Sequence, residues 1–227
     1  MNNITTESTD HLLQLLKNFR NSTNWKFRGQ SVDDWLLVPK AGRFPFSERS
    51  DKEIFRHWKR RAKGLLPREN YSEFDLLAIA QHHGLPTRLL DWSLNPLVAL
   101  YFACNENDNT DGCLFCYKPR IVHNSEQISK IFNKSMGEVI FVQPTGASPR
   151  LNQQFGYFSL HTPPITDFLE TNMSEKIQKI TIPASLKKEI TFALNQFGIN
   201  LLSLFPDLEG LTAHLNWFYE NYEYWQR

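Results

Sequence analysis

A single α+β domain is predicted by three features of the 227-residue chain. Segments with helical apolar spacing lead, segments with strand character follow, and helical segments close the chain. No regular alternation of strand and helix marks a doubly wound parallel sheet. The length suits one elaborated domain better than two. The expected architecture is a central mixed or antiparallel sheet flanked by helices, in one domain over 1–227.

The first helix follows Thr9-Asp10, where Leu12, Leu13, Leu15, Leu16 and Phe19 mark an apolar face. A short strand, Trp25 to Arg28, is expected next, ended by Gly29. Ser50-Asp51-Lys52-Glu53 has the capping-box pattern and starts a second helix, with Ile54, Phe55, Trp58 and Ala62 turned to the core. Arg56, Lys59, Arg60, Arg61 and Lys63 crowd it. Basic residues near a helix C-terminus are favoured electrostatically, and the same face would also suit an anionic partner. A third helix starts at Ser72, and Gly84 and Pro86 end it in a tight turn. Asn95-Pro96 starts a fourth, with the asparagine as cap and proline in the first turn. Strands are expected at 114–117, 139–142, 157–160 and 177–182. A helix after Pro183 runs to Gly198, and a last one starts near Pro206-Asp207.

Composition bounds the function. With 41% apolar and 22% charged residues, the chain can bury a core without staples. A formal net charge of +1 gives no global field for nucleic acid or anionic membrane. Cys104, Cys113 and Cys116 are too few and too odd in number for a disulfide framework. On a strand, Cys113 and Cys116 would face opposite sides, which argues against a metal knuckle. The N-terminus has no basic and apolar leader pattern, and no apolar stretch reaches membrane-spanning length. A cytoplasmic protein without a membrane partner is expected.

Polar clusters interrupt the apolar pattern. In Phe27-Arg28-Gly29-Gln30, an arginine beside a glycine can aim its fork at a phosphate or carboxylate, while Gly29 permits close backbone approach. The plainer reading is a surface arginine after a strand. Gln81 to Trp92 packs His82, His83, Thr87, Arg88 and Asp91 into a junction between apolar helices. Polar groups held there need partners, either each other, as in an Arg88–Asp91 pair, or a ligand. Arg150 to Phe158 offers Gln154 to a ligand or forms an ordinary hairpin loop. Asp207 and Glu209 sit in the first turn of the last helix, where its dipole favours carboxylates anyway. There is no Gly-rich phosphate loop, no G-x-S-x-G elbow, no HExxH helix and no paired CxxC. These residue types suit a phosphorylated ligand and name no reaction. No metal site is expected.

FRGQ at 27–30, LLAIAQHHGLPTRLLDWSLNPLVALYFAC at 76–104, PRLNQQFGYFSLH at 149–161 and LFPDLEGL at 204–211 together resemble the FRG domain family, over about 20–215. The arrangement more distantly resembles the ADP-ribosyltransferase fold. That resemblance implies NAD as substrate and transfer to a macromolecular acceptor, nucleic acid or protein. It implies that Arg28 grips the pyrophosphate or ribose, with Gly29, Gln30, His83, Arg88, Asp91 and Gln154 around the dinucleotide. It puts His82 and Thr87 at the nicotinamide and the VALYFA helix behind them. Glu138, Gln154 and Glu209 compete for the third catalytic role, with Glu209 favoured. A toxin or phage-defence effector, with a possible antitoxin, is the implied context. A nucleic-acid-cleaving enzyme using His82, His83 and Asp91, or a non-enzymatic nucleotide-binding interaction domain, stands beside it.

Overall fold

The computed structural model describes residues 2–66, 71–128, 131–132, 138–144, 156–171 and 176–222. One eight-stranded mixed sheet runs through the domain. Its strands are β1 (Asn2–Thr5), β2 (Lys26–Gln30), β3 (Leu89–Ser93), β4 (Gly112–Tyr117), β5 (Val122–Asn124), β6 (Glu138–Gln143), β7 (Gly156–Thr162) and β8 (Gln178–Ile182). The spatial order is β1-β8-β4-β2-β3-β7-β6-β5. The two edge pairs, β1 with β8 and β5 with β6, are parallel, and the inner pairs are antiparallel.

One junction in this ladder is weak. β2 and β4 register over five residue pairs, and so do β3 and β7. Between β2 and β3 only Phe27 and Ser93 are in register. The sheet is therefore two four-stranded halves that meet at one pair and splay apart beyond it.

The helices are α1 (Thr9–Leu16), α2 (Asp51–Ala62), α3 (Glu73–His82), α4 (Pro96–Cys104), α5 (Ala184–Gln196), α6 (Leu201–Leu204) and α7 (Leu208–Asn221). The expected caps at Ser50, Ser72 and Asn95 all accept an amide from the first turn. The Glu53 carboxylate pairs with Arg56 at 2.7 Å, and Lys59 reaches Glu73. Along α2, Phe55 and Ala62 are buried, but Ile54 is exposed. α4 is apolar all round, which suits a helix covered on every side.

Three cores follow from strand alternation. Phe27, Leu114, Cys116 and Ile180 pack against α1, α4 and α5 on one face of the first half. Leu89, Phe158 and Leu160 pack against α2 and α3 on the same face of the second half. The opposite face carries Leu90, Trp92, Phe115, Tyr117, Phe141 and Phe168 and spans both halves. Cys113 and Cys116 fall in different cores, as their spacing requires.

Three expectations need correction. Gly29 does not end its strand: Gly29 and Gln30 continue β2 opposite Leu114 and Cys113. Leu89–Ser93, read as part of a junction loop, is a central strand, because Asp91 alone breaks an otherwise buried run. The N-terminal residues, read only for targeting signals, form β1 against β8. No helix among the described residues is long and apolar enough to cross a membrane.

Candidate functional site

The splayed junction opens into a cavity of about 320 Å³ on the helix side, between α3 and α4. β2 contributes Arg28, Gly29 and Gln30. β3 contributes Asp91, Trp92 and Ser93. α3 adds Gln81 and His82, and α4 adds Ala99 and Phe102. Trp35 stands at the rim, 42% exposed. Asn105 and Glu106, just past α4, complete one wall.

Arg28 bridges the split. Its Nη1 donates to the main-chain carbonyl of Asp91 at 2.8 Å. Extending the Phe27–Ser93 register by two residues would set Gly29 opposite Asp91. The guanidinium thus satisfies a carbonyl at a level where the two strands no longer register. Arg28 Nε is buried without a partner, and so is the Oε1 of Gln30. Gln30 is 2% exposed and, among the described residues, its side chain makes one long bond, from Nε2 to the Leu36 carbonyl at 3.4 Å. Arg28 and Gln30 are thus both lining residues of the cavity, and each carries a buried polar atom without a partner among the described residues.

Burial lowers the Arg28 pKa to about 10; Asp91 opposes this and Arg43 adds to it. The side chain keeps its charge at neutral pH. The Arg43 guanidinium lies over the Trp35 ring, 5.6 Å from its centroid, and its Nε donates to the Val38 carbonyl at 3.1 Å. Neither arginine has an ion pair within salt-bridge distance among the described residues.

A relay holds the opposite wall. Thr87 Oγ1 donates to Gln81 Oε1, and Gln81 Nε2 donates to Asp91 Oδ1 at 2.8 Å. The Gln81 amide orientation is thereby fixed, and it aims the Asp91 carboxylate. Thr87 is 2% exposed and lies behind the wall, acting through Gln81. Beneath the floor, Trp92 Nε1 donates to Ser159, the Ser159 hydroxyl donates to His161 Nε2 at 2.9 Å, and His161 Nδ1 donates to the Thr166 carbonyl at 2.7 Å. Every group in that chain is used, so the imidazole is neutral. Burial lowers its pKa to about 4.

Gly29 has a structural reason beyond any ligand. A Cβ there would sit 1.8 Å from the Ala99 carbonyl oxygen, so the missing side chain makes room for α4. Arg88 does not pair with Asp91. Arg88 precedes β3 and turns toward the start of α2, while Asp91 is taken by Gln81 of α3. Arg88 Nε and Nη2 instead donate to the two Asp51 oxygens at 2.6 and 2.7 Å, and Nη1 donates to the Ile131 carbonyl.

The cavity thus gathers Arg28, Gly29, Gln30, His82 and Asp91 from the expected set. His83 caps α3, is exposed, and meets the His82 ring edge-on at 5.0 Å. Glu209 is exposed on the first turn of α7 and is not on the cavity wall. Glu138 opens β6, three strands from β2, or roughly 14 Å across the sheet. Gln154 lies outside the described residues. Glu106 was missed because it follows a helix C-terminus with no motif around it. Its backbone is pinned by Lys187, whose buried Nζ donates to the carbonyls of Ser31, Glu106 and Asn107. The three cysteine thiols are free and buried, with pKa values pushed up by burial, so none is a ready thiolate.

Residues 23–112 match the family model of the FRG domain. The matched span carries β2, β3, α4 and Glu106; the segments at 149–161 and 204–211 lie beyond it. No curated protein and no solved structure shows significant similarity to the chain.

Proposed function

We propose that this chain, which carries an FRG domain, is an NAD-consuming ADP-ribosyltransferase-like enzyme acting on a macromolecular acceptor. One observation carries the reading. Arg28 lines the cleft with no ion pair among the described residues, the nearby Arg43 charge lowers its pKa further, and two carboxylates, Asp91 and Glu106, line the walls. An unpaired cation in a desolvated place is compensated by an anionic ligand, and the arginine fork suits a phosphate. The NAD pyrophosphate meets that demand. Trp35 and Phe102 offer faces for a flat ring, and the cavity volume accommodates the nicotinamide riboside end.

The reaction breaks the bond between ribose C1′ and the nicotinamide nitrogen. The electron pair leaves with nicotinamide, and positive charge develops on the ribose. A fixed carboxylate lowers the energy of that charge and takes the proton the acceptor loses. Glu106 and Asp91 are the carboxylates available in the cavity, and Glu106 is assigned the role left open among Glu138, Gln154 and Glu209. A toxin or phage-defence setting belongs to the same proposal and rests on the family resemblance.

The test is NAD turnover. Purified protein with NAD and cell lysate releases nicotinamide and labels a macromolecule, and Arg28→Ala abolishes both. An Arg28→Ala variant that turns over NAD at the wild-type rate overturns the reading.

A further inference from the structure

A groove of about 470 Å³ lies at the start of α2 and shares no lining residue with the Arg28 cavity. Phe46, Ile54 and Pro86 give it an apolar lining, and Ile54 is 40% exposed there. Phe44, two positions before Phe46, is 79% exposed.

Cations surround this groove. Residues 40–63 hold nine of the chain's 25 Lys and Arg but three of its 24 Asp and Glu. That local excess stands against a net charge of +1 for the whole chain. Two of the three carboxylates are already taken, Asp51 by Arg88 and Glu53 by Arg56. Arg49 lines the groove. Arg60 and Arg61 follow the lining residue His57 by three and four positions, which sets them on its side of α2, one turn on. All three arginines are exposed, and none has an ion pair among the described residues. The helix dipole accounts for cations in the last turn of α2 but disfavours Arg49 and Lys52 at its start.

The combination selects a polymer. Arg49 and Arg60 are separated by roughly 16 Å along the helix axis, too far for one phosphate and suited to a chain of them. An apolar groove with a ring face takes a flat base, and cations on either side take the backbone that carries it. A duplex hides its base faces, so the groove favours a single strand. A membrane surface is disfavoured, because α2 keeps Phe55 and Ala62 in the core and has no free apolar face to insert.

We infer that the groove at the start of α2 docks a single-stranded polynucleotide, one base against Phe46 and the backbone on Arg49, Arg60 and Arg61. The inference goes beyond the transferase reading and stands apart from it, since none of these four residues lines the Arg28 cavity.

Fluorescence anisotropy on the full chain without NAD tests it, with labelled single-stranded ribo- and deoxyribo-oligonucleotides of about 12 nucleotides. Saturable binding of either is expected at about 0.1 M salt. Arg60→Gln combined with Arg61→Gln alters two exposed side chains. That double variant is expected to weaken binding at least about tenfold and to lower the salt slope by roughly 1.4. Lys17→Gln with Arg20→Gln removes the same charge from exposed positions just past α1 and is expected to bind as wild type. Phe46→Leu keeps an apolar lining without the ring face and is expected to lose about tenfold. Unchanged circular dichroism separates lost binding from lost folding. No binding by wild type, wild-type affinity in either groove variant, or an equal loss in the Lys17 and Arg20 variant overturns the inference. So does a duplex or polyglutamate that competes as well as the single strand. If the oligonucleotide binds as expected and NAD is not cleaved, the transferase reading falls and the docking groove stands. If NAD is cleaved and no oligonucleotide binds, the reverse holds.

Discussion

The Arg28 guanidinium donates to the Asp91 carbonyl at 2.8 Å, across the gap where the two halves of the sheet part. Its Nε meanwhile has no partner, and burial lowers its pKa to about 10. Such a group is held at a cost to stability, as a ligand-binding charge commonly is. Arg28→Met is therefore expected to lose NAD binding while its melting temperature stays within about 2 °C of wild type or rises. A fall of many degrees in a thermal melt would make Arg28 a structural bridge instead.

Glu106 and Glu209 are separable. Both are exposed, but Glu106 lines the cavity and Glu209 does not. Removing a group that meets transition-state charge typically costs about 10²- to 10³-fold in rate. Glu106→Gln should lower the rate of nicotinamide release by that order, with little change in NAD affinity. Glu209→Gln should behave as wild type in the same assay.

Gly29→Ala probes the α4 contact. The added methyl would sit 1.8 Å from the Ala99 carbonyl oxygen, a backbone atom that cannot swing aside. Destabilisation of about 3 kcal/mol or more is expected from overpacking against backbone. Urea denaturation of the variant reads this directly.

Arg88 and Asp51 form a buried pair, with side chains 6% and 9% exposed. Removing one member leaves the other charged and unsolvated, at a cost of about 3–5 kcal/mol. Arg88→Met should lower the urea midpoint correspondingly, and NAD affinity measured on the remaining folded protein should match wild type.

His161 supplies a pH dependence. Its folded pKa is about 4 against an ordinary 6.5, so the unfolded chain takes up the proton first. The stabilisation is fully present above pH 6.5. It is lost as pH falls through the window from 6.5 to 4, by roughly 3 kcal/mol in all. Wild type should lose more stability than His161→Gln between pH 7 and pH 4.5 in paired urea titrations.

Helix starts were legible because a cap is a local event. Ser50, Ser72 and Asn95 each accept a first-turn amide as their neighbours in sequence imply. Most strands were legible from apolar runs. β3 was not, since the polar residues of the surrounding motif masked five central positions. Arg28 was legible as the first residue of interest, but its orphan Nε depends on the splay of β2 from β3, a property of pairing across the chain. Asp51 is 37 residues from Arg88, and nothing near either residue signals the other. Glu106 sits in a turn whose carbonyl is held by Lys187, a residue 81 positions along the chain that nothing near Glu106 signals.

The most direct test is calorimetric titration of NAD into wild type and Arg28→Ala. Saturable binding by wild type, reduced at least about tenfold in the variant, is the predicted result. Equal affinity in the two proteins, or no NAD binding by folded wild type, would contradict the account.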